Sequence, residues 1–145
     1  MTLQSRIGCF VLFFLGAGCA SPTQPLRYAH VVTTVEEGSG VAGSIAVTTT
    51  VRNDGDRPIS LETNPCPVRF RVETLLGTRV ELGAQVCSAI SRPVSLAPGQ
   101  SFSFNDQWDG TDRSGVHVSG TIRVIGQPFF EQGPQSAPVT VHLPD

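Results

Sequence analysis

Ser44-Ile45-Ala46-Val47-Thr48-Thr49-Thr50-Val51-Arg52 runs directly into Asn53-Asp54-Gly55-Asp56. Ile45, Val47, Thr49 and Val51 stand at every second position. An extended backbone therefore gathers them on one face and leaves Ala46, Thr48 and Thr50 on the other. A helix would scatter the same residues around its axis. Most of these side chains are β-branched and stiff at the first torsion, which suits a pleated backbone. In the four residues that follow, Asn and Asp bond their own backbone and Gly allows positive φ, so a turn is expected. The spacing predicts a half-buried strand over 44–52 that ends in that turn.

The two-residue period recurs in both directions from this strand. Upstream it covers 30–36. Downstream it covers 58–62 (Ile59 and Leu61 inward), 68–74 (Val68, Phe70, Val72), 79–82 (Val80, Leu82), 94–96, and 101–108 (Phe102, Phe104), with 116–125 and 138–143 at the end. Gly, Pro, Asn and Asp punctuate the runs, as in Ala97-Pro98-Gly99. About eight short strands with no helical period between them predict an antiparallel β-sandwich of immunoglobulin-like type over 28–145. The apolar parity leaves one wet face per sheet, as two packed antiparallel sheets require.

Composition agrees with a single globular domain. The chain has 145 residues, 39% hydrophobic and 15% charged, which is long enough for one ordinary domain and not for two. Every basic residue is arginine. With Arg6 in the leader described next, nine arginines face twelve acids in the remainder. That slightly acidic balance provides no basic stripe for phosphates, and nucleic acid is not an expected partner.

The first residues differ from the rest. Arg6 precedes an apolar run containing Ile7, Phe10, Val11, Leu12, Phe13, Phe14 and Leu15. The run is too short to span a bilayer and has the length of an export signal's apolar core. It closes on Leu15-Gly16-Ala17-Gly18-Cys19, where small residues before a thiol permit cleavage and diacylglyceryl transfer. This resembles the lipobox of bacterial lipoproteins, with Gly16 where leucine is commonest. The resemblance implies a signal peptide over 1–18, lipidation at Cys19 and a membrane partner through that lipid. Ala20 after the cysteine implies outer-membrane sorting, facing the periplasm, in a Gram-negative cell. The alternative is an ordinary secretory signal whose cleavage site contains Cys19. Ser21-Pro22-Thr23-Gln24-Pro25 cannot pack a core, so 19–27 is expected to be a tether.

Once Cys9 leaves with the signal and Cys19 takes lipid, Cys66 and Cys87 remain, in an oxidising compartment. They flank a hairpin. Leu75-Leu76-Gly77 suits a three-residue loop with Gly77 left-handed, which pairs Val72 with Val80 and Phe70 with Leu82. Continued unchanged, that register sets Cys66 opposite Val86, and a bulge at Gly83 shifts it to Cys87. A disulfide between Cys66 and Cys87 is expected, worth about 3 kcal/mol in the chain-entropy model. The alternatives are buried thiols or zinc, and two cysteines without nearby histidines make a poor zinc site.

Catalytic signatures are missing from the sequence: no Gly-x-Ser-x-Gly, no His-Glu-x-x-His and no phosphate-cradling Gly-Lys-Ser/Thr. His30, His117 and His142 have no helically spaced histidine partner. The densest polar stretch is Trp108-Asp109-Gly110-Thr111-Asp112-Arg113-Ser114-Gly115. Its two carboxylates suit a turn held by side-chain-to-backbone bonds, with Trp108 anchored in the core. Calcium ligation and acid/base chemistry are the competing readings, and calcium wants more oxygens than this loop has. The expectation is a non-catalytic chain with no metal and no cofactor.

Trp108-Asp109-Gly110-Thr111-Asp112, then Gly115, Val118, Gly120 and Val124, resembles the closing hairpin of bacterial immunoglobulin-like domains. Among these are the BsuPI-like intracellular proteinase inhibitor family and the module of flagellar hook-capping proteins. Val51-Arg52-Asn53 and Pro98-Gly99-Gln100-Ser101 also match the BsuPI-like pattern, and the similarity covers roughly 44–126. Ile122 departs from it, standing where the family has tyrosine. The resemblance implies an immunoglobulin-like fold and, as one function, proteinase inhibition. Asn64-Pro65-Cys66-Pro67 is then the candidate binding loop, stiffened by two prolines and the disulfide. The leading expectation is a membrane-anchored lipoprotein of the cell envelope that acts as a protein-binding or structural module. A binding module should also expose an apolar or aromatic patch.

Overall fold

The computed structural model describes residues 26–38, 43–63, 68–83, 92–129 and 133–145. After a short 3-10 turn at Leu26–Tyr28 they form nine strands: β1 (Ala29–Glu37), β2 (Ile45–Asn53), β3 (Ile59–Glu62), β4 (Phe70–Thr74), β5 (Arg79–Val80), β6 (Pro93–Leu96), β7 (Ser101–Trp108), β8 (Gly120–Gly126) and β9 (Val139–Leu143). They pair into sheet I (β1-β2-β7), sheet II (β3-β6) and sheet III (β5-β4-β8-β9). Every named pair is antiparallel. The chain is an all-β sandwich. In β2 the expected face is buried: Ile45, Val47, Thr49 and Val51 are at most 2% exposed. On the opposite face Thr48 meets Asn105, and the Thr50 and Ser103 hydroxyls bond at 2.8 Å.

Two hydrophobic clusters lie under sheet I. The upper one joins Ile45, Val47 and Trp108 to Phe70, Val72, Ile122, Val124 and Leu143 of sheet III. The lower one joins Ala29, Val51 and Phe104 to Ile59, Leu61 and Leu96 of sheet II. The lower cluster exists because the β2–β7 ribbon bends and continues as β3–β6. Asn53 holds the bend. It is fully buried, and its Nδ2 donates to Arg57 O at 2.7 Å and Leu96 O at 2.9 Å. Its Oδ1 accepts the Gly55 N–H at 3.0 Å. Asparagine can do this because its amide both donates and accepts.

A polar belt separates the clusters. Thr33 and Thr49, both buried, bring their hydroxyls to 3.4 Å of each other, and Thr49 Oγ1 also reaches Arg69 O. Gly126 of β8 packs on this pair: a Cβ there would lie 2.1 Å from Thr33 Oγ1 and 2.8 Å from Thr49 Cγ2. The two sheets approach at a point where only glycine fits.

Two strands differ from the sequence reading. The run over 116–125 does not form one strand, since β8 begins only at Gly120, whose φ of +85° turns the chain. Val116, His117 and Val118 belong to the preceding loop, with bridges and bonds back to Thr111, Asp112 and Gly110. The Leu75-Leu76-Gly77 hairpin has its expected register, with Val72 opposite Val80 and Gly77 at φ +84°. The ladder nevertheless stops at Val80. Leu82 bridges to Asp112 rather than pairing with Phe70, and Glu81 O accepts the Arg113 N–H at 2.7 Å. The long loop between β7 and β8 thus draws the chain away from β4.

Candidate functional site

Cys19, Cys66, Cys87, Asn64, Pro65 and Pro67 lie outside the described residues. The points where the chain enters and leaves 64–67 are described, and both are fastened. Arg69 is 1% exposed. Its Nη2 donates to Glu62 O at 2.6 Å and its Nη1 to Pro128 O at 3.3 Å, while its backbone N–H donates to Asp106 Oδ2 at 3.0 Å. The guanidinium also lies 5.1 Å over the Phe104 ring, within cation–π range. Thr63 Oγ1 donates to Arg92 O, linking the end of 64–67 to the exit of 84–91. Burial dominates the titration of the charged pair, raising the Asp106 carboxyl and lowering the Arg69 guanidinium against their mutual attraction.

Sequence reading missed Arg69. In the alternation Val68, Phe70, Val72 it occupies an outward position, where an arginine is unremarkable. It is buried because Glu62 of sheet II, Phe104 and Asp106 of sheet I and Pro128 after β8 meet around it. The short-range signal carries no trace of that covering.

The loop after β7 is built by its carboxylates. Trp108 is 5% exposed in the upper cluster, and its Nε1 donates to Thr111 O at 2.7 Å. Asp109 Oδ1 accepts from Thr111 N and Oγ1 at 3.0 and 2.8 Å. Asp112 Oδ1 accepts from Ser114 N, Ser114 Oγ and Val116 N at 2.6–3.0 Å. These donors hold both carboxyls below the usual carboxylate range, Asp109 chiefly through Thr111 N–H and Asp112 chiefly through the Ser114 hydroxyl. The His117 ring covers Gly110 and Gly43, both at positive φ, where a Cβ would lie 3.0 and 2.4 Å from its Cε1. Among the described residues no three His, Cys, Asp or Glu side chains gather to hold a metal.

A third feature was not singled out from sequence. At the β4–β5 tip Leu76 is 95% and Leu75 57% exposed, although such turns favour Gly, Asn, Asp and Ser. Beside it, the outer face of sheet III carries Arg79, Glu73 and Arg123 in one row across β5, β4 and β8. Arg71 Nε lies 2.8 Å from Glu73 Oε1 and Arg123 Nη2 lies 3.3 Å from Glu73 Oε2. The tip leans on this row, since a Cβ at Gly77 would lie 3.5 Å from Arg123 Nη2. Arg71, Arg79 and Arg123 come from three different strands, so their placement on one face depends on the sheet order.

No protein-family model and no curated protein matches the chain. Among solved structures it is similar to a β-glucosidase from Erythrobacter marinus at TM-score 0.48 and 15% identity, over 79% of this chain and 15% of that one. It is similar to the β-glucosidase of Listeria innocua at TM-score 0.44 and 13% identity, over 81% of this chain and 16% of that one. A structural-genomics target is covered over 85% of its length at TM-score 0.34 and 15% identity. At these values the likenesses assign neither family nor activity to this chain.

Proposed function

We propose that this chain is a non-catalytic lipoprotein of the cell envelope. In this reading it is anchored through lipid on Cys19, stapled by a Cys66–Cys87 disulfide and works as an immunoglobulin-like binding or structural module. The observation that carries the binding role is the Leu75 and Leu76 tip, where two successive leucines are exposed. The Asp109 and Asp112 carboxylates are engaged in holding their own loop. The anchor is tested by Cys19→Ser: fatty-acid labelling and membrane fractionation should both be lost. Retention of label would refute it.

A second reading, proteinase inhibition of the BsuPI-like type, is favoured by the fastening of both ends of 64–67 through Arg69 and Thr63. A binding loop fixed at its ends loses less entropy on docking. The two readings separate on whether the purified chain slows proteolysis.

A further inference from the structure

We infer that the junction of β4 and β8 binds one internal water molecule, held by the side-chain amide of Gln127. The inference goes beyond the anchor and the binding reading and does not depend on either. It starts from an orphaned donor. Gln127 is 6% exposed, and its Nε2 is buried with no hydrogen-bond acceptor among the described residues. Buried polar groups in folded proteins are paired, with protein or with ordered water, because an unmade bond forfeits the hydration the group had in the unfolded chain.

The backbone fixes where this donor sits. Gln127 N–H donates to Arg69 O at 2.6 Å, which continues the β4–β8 register one step past Phe70 and Gly126. Gln127 therefore stands opposite Arg69, and side chains directly opposite across such a pair share a face. Arginine cannot serve the amide donor, since a guanidinium also carries donors only. What Arg69 does is gather acceptors. Its Nη2 donates to Glu62 O, its Nη1 to Pro128 O, and its backbone N–H to Asp106 Oδ2.

Each of those oxygens has a further lone pair. A water molecule accepts and donates at once, so one molecule beside Arg69 takes the Gln127 Nε2 proton and gives its own two to oxygens of this set. That makes about three bonds, the usual complement of a buried water. The surroundings set the size of the ligand and its lifetime. Arg69 and Pro128 are fully buried, and Ser136 closes the chain back on Gly126 through Ser136 N to Gly126 O and Gly126 N to Ser136 Oγ. A site enclosed in this way takes water and nothing larger, and releases it slowly.

The test is made on the full chain, labelled with nitrogen-15, by measuring NOE and ROE transfer from solvent water to the Gln127 side-chain amide protons. A water held inside the fold gives a pair of cross-peaks of opposite sign, whereas surface hydration does not. The pair should persist in Thr49→Val, which removes the hydroxyl that reaches Arg69 O as a relay of exchanging protons. Loss of the pair in Thr49→Val overturns the inference, as does its absence from the parent. In the second case Gln127→Met, which keeps the length and removes the amide, identifies the alternative. A lower melting temperature would mean that Oε1 faces Arg69 and accepts from it directly, and a higher one that the amide donor is bare.

Discussion

The two hydrophobic clusters share sheet I but are built on different principles. The upper one is sheet against sheet: Ile45, Val47 and Trp108 on one side, Phe70, Val72, Ile122, Val124 and Leu143 on the other. It is capped by an indole and closed by a loop whose carboxylates are exposed. The lower one is a single ribbon folded back on itself, with Val51 and Phe104 facing Ile59, Leu61 and Leu96. Its fold depends on one buried amide, Asn53, and its border with the upper cluster on the buried hydroxyls of Thr33 and Thr49. The difference separates two kinds of stabilisation. Where two sheets meet, apolar area dominates and polar groups stay at the rim. Where a ribbon bends, backbone groups are exposed to the interior and a polar side chain must bond them.

The comparison is broken most directly at Trp108. Trp108→Ala removes the largest side chain of the upper cluster and leaves Thr111 O without its indole donor. A loss of about 3–5 kcal/mol is expected in denaturant unfolding, enough to leave the domain marginal. A loss below about 1 kcal/mol would show that the upper cluster does not depend on the indole cap.

Asn53→Ala probes the lower cluster. Leu96 O and Arg57 O lose their donor and Gly55 N–H its acceptor, at an expected cost of about 2–3 kcal/mol. Asn53→Asp is the sharper variant, because it preserves shape and acceptor but removes the Nδ2 donor. If both variants unfold like the parent, the bend is held by packing and the contrast between the clusters fails.

The smallest effects come from pH, and they have opposite signs. Asp109 and Asp112 sit below their ordinary pKa. The stability they contribute is complete above the unfolded value of 3.8 and is lost as pH falls through their folded values. Asp106 is raised by burial. Between its folded pKa and 3.8 the native state takes up a proton that the unfolded chain does not, so this group makes the fold firmer as pH falls. Melting temperature followed across the acid range should therefore fall less steeply in Asp112→Asn than in the parent. Asp106→Asn should remove the opposing gain. Identical profiles for all three chains would mean that neither set of carboxyls senses its surroundings.

Much of the architecture was legible from local pattern. The strand over 101–108 and the inward faces of 44–52 and 58–62 follow from period two, because an extended chain alternates its side chains whatever packs against it. The Gly77 turn and the Val72–Val80 pair follow from loop length and a required positive φ. The Asp109 and Asp112 turns follow from short carboxyls beside their own backbone. All of these are properties of neighbours in sequence.

The remaining features depend on residues far apart in the chain. Arg69 alternates as an outward residue and is buried because Glu62, Phe104, Asp106 and Pro128 meet around it. β5 stops at Val80 because the loop after Trp108 takes Leu82 and Glu81 O. Gly126 is needed only because Thr33 and Thr49 from another sheet approach it. Arg71, Arg79 and Arg123 come to share one face with Glu73 only when β5, β4 and β8 lie side by side. Periodicity determines which face of a strand is apolar, whereas the order and crossing of the sheets determines what that face meets and which exposed groups become neighbours.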